Sequence, residues 1–466
     1  MTSPSPTPPS RFRFVVLGLL CLLAMITYMD RAANGSAKKA IMADLNVDLI
    51  AAGQKPYVED DFFIVLMAFQ LAYAIFEIPS GWLGDTKGPR STLLRVVLWW
   101  SLFVALTGFT GMTLPGGFYI GFGALVVIQF LFGVGEAGAF PNIAKSLYNW
   151  FPANDRGFAK SAVWMAARLM GGLTPLLWVL INSPQFMGLT WRTAMWIFAS
   201  AAFIWSIAFY FIFKNKPDEH PSVNAGELAL INEGRNEKSK VVRIPWGRLL
   251  KSRNLWAVCG MYIVTNFCWY FLMYNLPGRL RAAYGSWSDT KTGEIMLNLL
   301  AGAPLLVGMF GCLLGGILSD RTIKRTGNRK WGRRWVGMLG YGGAGVCYLI
   351  AAWVNSSMPG QLLPFAVMLI AMGFFNDLIM APAWAVCQDI GQDYAATVSG
   401  AMNMAGNLLG AVLGIFFTGM VMKYDAISET NRITICFVAY ALVYFIGVGL
   451  WMLIDAGKPI ELETKE

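Results

Sequence analysis

Twelve long apolar stretches follow one another along the chain. They lie near residues 14–41, 61–83, 91–112, 117–148, 157–181 and 191–213, then near 254–284, 293–319, 333–354, 361–388, 395–422 and 432–455. Each is long enough for a helix to cross a hydrocarbon core, which takes about 20 apolar residues for about 30 Å. Nothing alternates in the ten-residue segments that a membrane β-barrel needs. The pattern predicts an all-α membrane protein with twelve transmembrane helices in two pseudo-symmetric six-helix bundles. The bundles are residues 14–213 and 254–455, with a polar connector at 214–253 and tails at 1–13 and 456–466. The first stretch is too long for a signal peptide, lacks a small-residue cleavage site and carries charges in its second half. The Pro- and Ser-rich leader, Met1–Ser10, reads as a mobile tail.

Composition supports this and removes other classes. Of 466 residues, 56% are apolar and 14% charged, about half the charge of a soluble chain. That argues against an ordinary soluble enzyme and against disorder. The seven cysteines all fall in apolar stretches, with no C-x-x-C pair and none beside the single histidine, His220. Neither a zinc site nor a disulfide framework is expected; the thiols read as small hydrophobes. His220 lies in the connector and reads as a solvated loop histidine. No Gly-rich phosphate loop is present, which argues against an ATP-driven pump. No hydrolytic triad can be assembled either, so no enzyme is expected.

Lysine and arginine set the expected orientation. Arg11, Arg13, Lys87, Arg90, Arg156 and Lys160 lie on the side of the amino terminus, as do the cations of the connector and those from Arg321 to Arg334. The first loop on the other side is acidic, with Asp44, Asp48, Glu59, Asp60 and Asp61. Both termini are therefore expected in the cytoplasm. The net charge of +10 reads as topology and lipid contact, not nucleic-acid binding.

The two halves carry the same punctuation. Gly81-Trp-Leu-Gly-Asp85 leads to Lys87, Gly88 and Arg90; Gly316-Ile-Leu-Ser-Asp320 leads to Arg321 and Arg325. A glycine lets helices approach closely. The aspartate can cap a helix end and pair with the nearby cations. Asp85, Arg90, Asp320 and Arg321 are thus expected to form a gate that breaks and reforms. Glu136 and Asp377 each stand five residues before a proline, Pro141 and Pro382. Two similar bundles around a midplane site are a common transporter plan.

The block Gly81–Arg90 resembles the signature loop of the major facilitator superfamily, with Thr86 and Pro89 in place of residues that are usually basic. A narrower resemblance is to its anion:cation symporter family. It rests on Tyr28-Met-Asp30-Arg31, Gly133-Val-Gly-Glu136-Ala-x-x-Phe140-Pro141, Trp150-Phe-Pro152-x3-Arg156-Gly157, Trp191-Arg192, Leu318-Ser-Asp320-Arg321 and Met402-Asn403-x-x-Gly406-Asn407. The resemblance covers residues 14–455. It implies proton-coupled carriage of sugar acids and other organic anions in a bacterial inner membrane. The coupling ion would be a proton, with no cofactor, and the working unit a monomer.

Charge inside an apolar helix needs a reason, since insertion scales put it at about 2.5–3.5 kcal/mol per residue. Asp30 and Arg31 lie mid-stretch, and Thr27, Arg31, Asn34 and Lys38 form one polar stripe suited to a wet cavity. The resemblance assigns proton coupling to Asp30 and Glu136, and the substrate anion to Arg31. An arginine would be expected seven residues before Glu136; Gln129 stands there instead. Arg168 is the nearest replacement cation, expected to bind the substrate carboxylate, to pair with Glu136, or both. Gln70, Tyr73 and Glu77 share a helix face, as do Asn266, Tyr270 and Tyr274, followed by Asn275 before Pro277. Gln70, Tyr73, Asn34, Gln129, Tyr270, Tyr274, Asn275, Asn403 and Asn407 are the expected contacts to substrate polar groups. Asp377 is expected to be a second proton site or the partner of a cation. The function expected is uptake of an aldonate, uronate or aldarate by alternating access. A proton-antiport exporter and a non-transporting sensor are the alternatives; the Gly171-Gly-Leu-Thr-Pro175 element does not match the usual exporter pattern.

Overall fold

A computed structural model describes residues 8–51, 53–58, 61–184, 186–233, 246–284, 290–358, 362–424 and 426–460, with side chains at 48, 270–284, 291 and 362 outside the description. Every long element is a helix. In the first half these are α1 (Phe12–Ala51), α2 (Phe62–Lys87), α3 (Pro89–Thr107), α4 (Phe122–Glu136), α5 (Ala139–Trp150), α6 (Arg156–Asn182) and α7 (Trp191–Ile212). Two short helices, α8 (Ala225–Asn232) and α9 (Trp246–Lys251), lie in the connector. The second half holds α10 (Arg253–Tyr284), α11 (Lys291–Thr326), α12 (Arg329–Ser357), α13 (Leu362–Leu378), α14 (Met380–Gly391), α15 (Ala395–Ala405), α16 (Val412–Met422) and α17 (Glu429–Leu453). Ten helical runs among the described residues are long and apolar enough to cross a membrane. One of them, Leu363–Met422, has 60 residues and is long enough for two crossings, and α10 supplies a further one. This multi-pass plan accounts for the twelve apolar stretches.

Helix breaks fall where proline forbids an intrahelical bond. Pro141 cannot donate to the carbonyl of Ala137, and Pro382 cannot donate to that of Leu378. The helix is interrupted at those points, between α4 and α5 and between α13 and α14. Glu136 ends α4, and Asp377 is next to last in α13. The repeated carboxylate-to-proline spacing thus becomes a repeated piece of geometry. Between α15 and α16 the residues Gly406–Ala411 form a π-helical segment, a widened turn often found at functional sites. The joint between α2 and α3 is one residue long: Gly88 has φ +89°, and Pro89 opens α3.

The halves meet along α6 with α11, α2 with α15, and α5 with α15. The first pair touches backbone to backbone. A Cβ on Gly316 would lie 2.5 Å from the Gly157 carbonyl oxygen, and one on Gly302 would lie 2.5 Å from that of Gly172. The buried cysteines pack as hydrophobes, all seven thiols being free and only Cys21 partly exposed.

The connector grips the start of the chain. Glu227 of α8 accepts from the backbone N–H of Phe12 and of Arg13, both at 3.1 Å, and from Ser10 Oγ at 2.6 Å. It also pairs with Arg13 Nη1 at 2.9 Å. His220 is not simply solvated: its ring stacks on Phe12 with centroids 3.9 Å apart. Partial burial and the neighbouring Lys214 push its pKa below the usual value. Replacing Glu227 by Ala would leave the first amides of α1 uncapped and Arg13 unpaired, a loss of about 2–4 kcal/mol. The expected outcome is faster hydrogen exchange at the amides of residues 12–16 with little change in α10–α17; unchanged exchange there would count against the clamp.

Candidate substrate site

A cavity of about 350 Å³ lies between the halves, walled by α1, α2, α4, α5, α6, α10, α11, α13, α14, α15 and the π-helical segment after α15. Two arginines face it. Arg31 Nε donates to Glu136 Oε1 at 2.5 Å. Its guanidinium also lies 4.3 Å from the centre of the Tyr73 ring. Arg31 keeps a quarter of its side chain accessible (26%), whereas Glu136 is fully buried. Each still has a buried atom with no hydrogen-bond partner, Arg31 Nη2 and Glu136 Oε2. This pair is therefore incomplete, with one donor and one acceptor left over.

Arg168 is fully engaged. Its Nε and Nη2 donate to Asp377 at 2.6 and 2.7 Å, and its Nη1 donates to Tyr28 Oη at 2.9 Å. Trp269 lies against its guanidinium at 4.8 Å. The expected pairing of Arg168 with Glu136 is thus corrected. Arg168 sits on the face of α6 that meets the second half, where Asp377 offers two oxygens in the parallel geometry a guanidinium favours. Asp377 is accordingly the partner of a cation, and the bond crosses between halves. Arg31 is the cation that answers Glu136.

Gln129 reaches the cavity wall, but its amide donates to Asn34 Oδ1 at 3.1 Å and Thr107 Oγ1 at 3.0 Å. Gln70 donates to Asn407 Oδ1 at 3.0 Å, and Asn403 donates to Tyr73 Oη at 3.1 Å. Asn403 also donates to Glu77. Four of the expected polar contacts thus bridge the halves at the cavity. Asp30 lies outside the cavity wall. Adjacent helix positions point about 100° apart, so Arg31 faces the cavity and Asp30 faces inward to the first bundle. Both Asp30 oxygens are buried without a hydrogen-bond partner. Tyr270, Tyr274 and Asn275 lie outside the described side chains.

The end of the bundle that holds both termini is closed by crossed caps. Asp85 accepts from the backbone N–H of Thr397 at 2.8 Å and of Ala396 at 3.3 Å, in the first turn of α15. Asp320 accepts from the N–H of Phe158 at 2.7 Å, in the first turn of α6. Each carboxylate therefore sits at the positive end of a helix in the other half. The cations expected beside them differ. Arg90 donates to the Tyr210 carbonyl within its own half, and Lys145 lies 3.7 Å from Asp85. Arg321 is exposed, being turned away from Asp320 by one residue. Buried Arg333 bonds Asp320 at 2.8 Å and Asp389 at 3.1 Å.

Sequence reasoning missed several residues of this region. Tyr28, Trp164, Thr265 and Trp269 line the cavity; Tyr28 entered only as part of a motif, and the others, as aromatic or small residues in apolar runs, carry no distinguishing pattern. Lys160 and Arg333 read as loop cations, yet both are fully buried. Small residues directly beside them, Ala159, Ser161 and Ala162 around Lys160 and Gly332 before Arg333, were the available signal.

The cross-half pair makes a quantitative prediction. Arg168→Gln leaves Asp377 buried and alone, a change that costs about 3–5 kcal/mol. The double variant Arg168→Gln/Asp377→Asn should recover more than half of the lost thermal midpoint. Additive losses in that double-mutant cycle would mean the two side chains are not coupled.

Residues 20–415 match the family model of the Major Facilitator Superfamily. A relative from Cupriavidus necator, named a probable sulfoacetate transporter, is 32% identical over 419 residues, covering 88% of each chain. One from Escherichia coli K12, named a probable galactarate/D-glucarate transporter, is 31% identical over 432 residues, covering 86% of each. The solved structure of a proton:xylose symporter bound to 6-bromo-6-deoxy-D-glucose shares the fold, with a TM-score of 0.73 at 13% identity over 96% of this chain and 98% of that one. The paired helix breaks, the crossed caps and these likenesses agree: the chain belongs to the Major Facilitator Superfamily, among its anion:cation symporter-like membrane transporters.

Proposed function

We propose that the protein imports a small organic anion of the sugar-acid class together with protons, by alternating access. The observation that carries this reading is the incomplete Arg31–Glu136 pair on the cavity wall. An arriving carboxylate takes the guanidinium, which binds carboxylates strongly through parallel N–H bonds. Glu136 then loses its counter-charge in a low-dielectric site and takes up a proton. Asp30, Arg31 and Glu136 form a group of two carboxylates and one cation, so a second proton at Asp30 keeps the loaded group neutral. Proton and anion binding therefore favour one another, and linkage makes that reciprocal.

Gln70, Tyr73, Asn403 and Asn407 bond one another across the halves. Substrate hydroxyls would replace those partners, so loading loosens the same bonds that hold the halves together. In this reading the end with both termini is the cytoplasmic one in a bacterial inner membrane, and the crossed caps at that end support a state that loads substrate from outside. The names of the relatives, galactarate/D-glucarate and hexuronate among them, support a sugar acid. The 32% relative named for sulfoacetate supports a second reading, a short sulfonated acid held by the same arginine.

Proteoliposomes with a trapped pH dye test the assignment. Addition of D-glucarate or sulfoacetate should acidify the interior, and uptake should rise as the external pH falls, since Glu136 must gain a proton to release Arg31. Arg31→Gln should raise KM at least tenfold. Glu136→Gln should keep exchange of labelled for unlabelled substrate and lose accumulation driven by a pH gradient. Wild-type-like accumulation by Glu136→Gln would exclude Glu136 as the coupling site.

A further inference from the structure

Below the cavity lies a feature that the Arg31 and Arg168 sites leave unused. Phe140 and Trp164 stack with centroids 4.6 Å apart at 9°, and Trp384 packs on both at 5.9 and 5.6 Å. Phe140 and Trp164 form part of the cavity wall, so the three rings make a plug on its floor. Phe140 and Trp164 belong to the first half, and Trp384 to the second.

Lys160 is packed against this plug. It is fully buried, and its Nζ has no hydrogen-bond partner. Its Nζ lies 4.1 Å from the centre of the Trp384 ring, 5.6 Å from that of Phe140 and 5.8 Å from that of Trp164. Lys160, Trp164 and Arg168 recur every four residues on α6, so they form one stripe. Arg168 contacts the same Trp164 ring at 5.3 Å. The indole thus lies between a cation that already has a carboxylate and a cation that has none. Ring faces return only part of the hydration that an ammonium gives up on burial. A buried amine without an anionic partner holds its charge poorly, and an anion brought to it in another state would stabilise that charge.

That state follows from where the rings belong. If the halves part at the end that holds the termini, Trp384 leaves with the second half and Lys160 stays on α6. The ammonium is then uncovered along the path by which substrate leaves. We propose that Lys160 is a second cationic station on the transport path, which takes the substrate's carboxylate or sulfonate from the cavity after the plug opens and holds it before release. This rests on the anion-transport reading above. Arg168 cannot take this role while both oxygens of Asp377 occupy it. Lys160 lies about 12 Å further along the same helix by the 1.5 Å rise per residue, at the next step toward the exit.

A sided measurement tests the inference. Radiolabelled D-glucarate and sulfoacetate would be presented to right-side-out and to everted membrane vesicles carrying wild type, Lys160→Gln or Lys160→Arg. The readout is the ratio of KM at the face with the termini to KM at the opposite face. Lys160→Gln should raise that ratio at least tenfold, and Lys160→Arg should keep it within threefold of wild type. A ratio unchanged within twofold in Lys160→Gln would overturn the station, since a purely structural contact weakens transport from both faces alike. If the wild type moves neither probe from either face, the anion-transport reading falls, and the station with it. If wild type moves a probe and only the ratio fails to change, the transport reading stands and Lys160 alone is wrong.

Discussion

A charge held away from water must find an opposite charge or a hydrogen-bond dipole, and the arrangement of this molecule follows from how each buried charge does so. Arg31 and Glu136 answer each other inside the first half. Arg168 and Asp377 answer each other across the boundary between halves. The difference decides what each can do. A pair within one rigid bundle can open without moving the bundles, whereas a pair across the boundary has to break, or carry its partner along, when they separate. The first suits a binding group, and the second suits a latch.

The crossed caps obey the same rule with a dipole in place of a cation. Asp85 and Asp320 come from equivalent points of the two halves, and each closes the first turn of a helix in the other. The exchange is reciprocal, so neither half can tilt away at that end without exposing a carboxylate and several backbone amides at once. Arg333 adds a firm partner within the second half, and the first half has the looser Lys145 in the corresponding role. The two caps are therefore alike in geometry and unequal in strength.

Much of this was readable in advance because a bilayer leaves few choices. Span count, the repeated aspartate blocks and the repeated carboxylate-to-proline spacing are all local patterns, and each became an element, a cap or a break in the structure. The partner of Arg168 was not readable. Glu136 and Asp377 are equally plausible from composition, and only the packing of α6 on the second half selects between them. Lys160 and Arg333 were misjudged because cations near the ends of apolar stretches were read as loop residues, whereas α6 and α12 begin at Arg156 and Arg329 and bury both side chains. The bridging bonds of Gln70, Tyr73, Asn403 and Asn407 likewise join residues more than three hundred positions apart, which no helical periodicity can reveal.

The grip of Glu227 on the first turn of α1 has a consequence for how the chain is made. The amide of Arg13 and the carboxylate that receives it are separated by 214 positions. At about 5–20 residues per second, a ribosome needs about 10–40 s to travel from one to the other. All six membrane-crossing runs of the first half are made during that interval, while the start of the first one still lacks its cap. Arrival of α8 is then a checkpoint in biogenesis: it fastens a finished bundle just before the second begins to be synthesised.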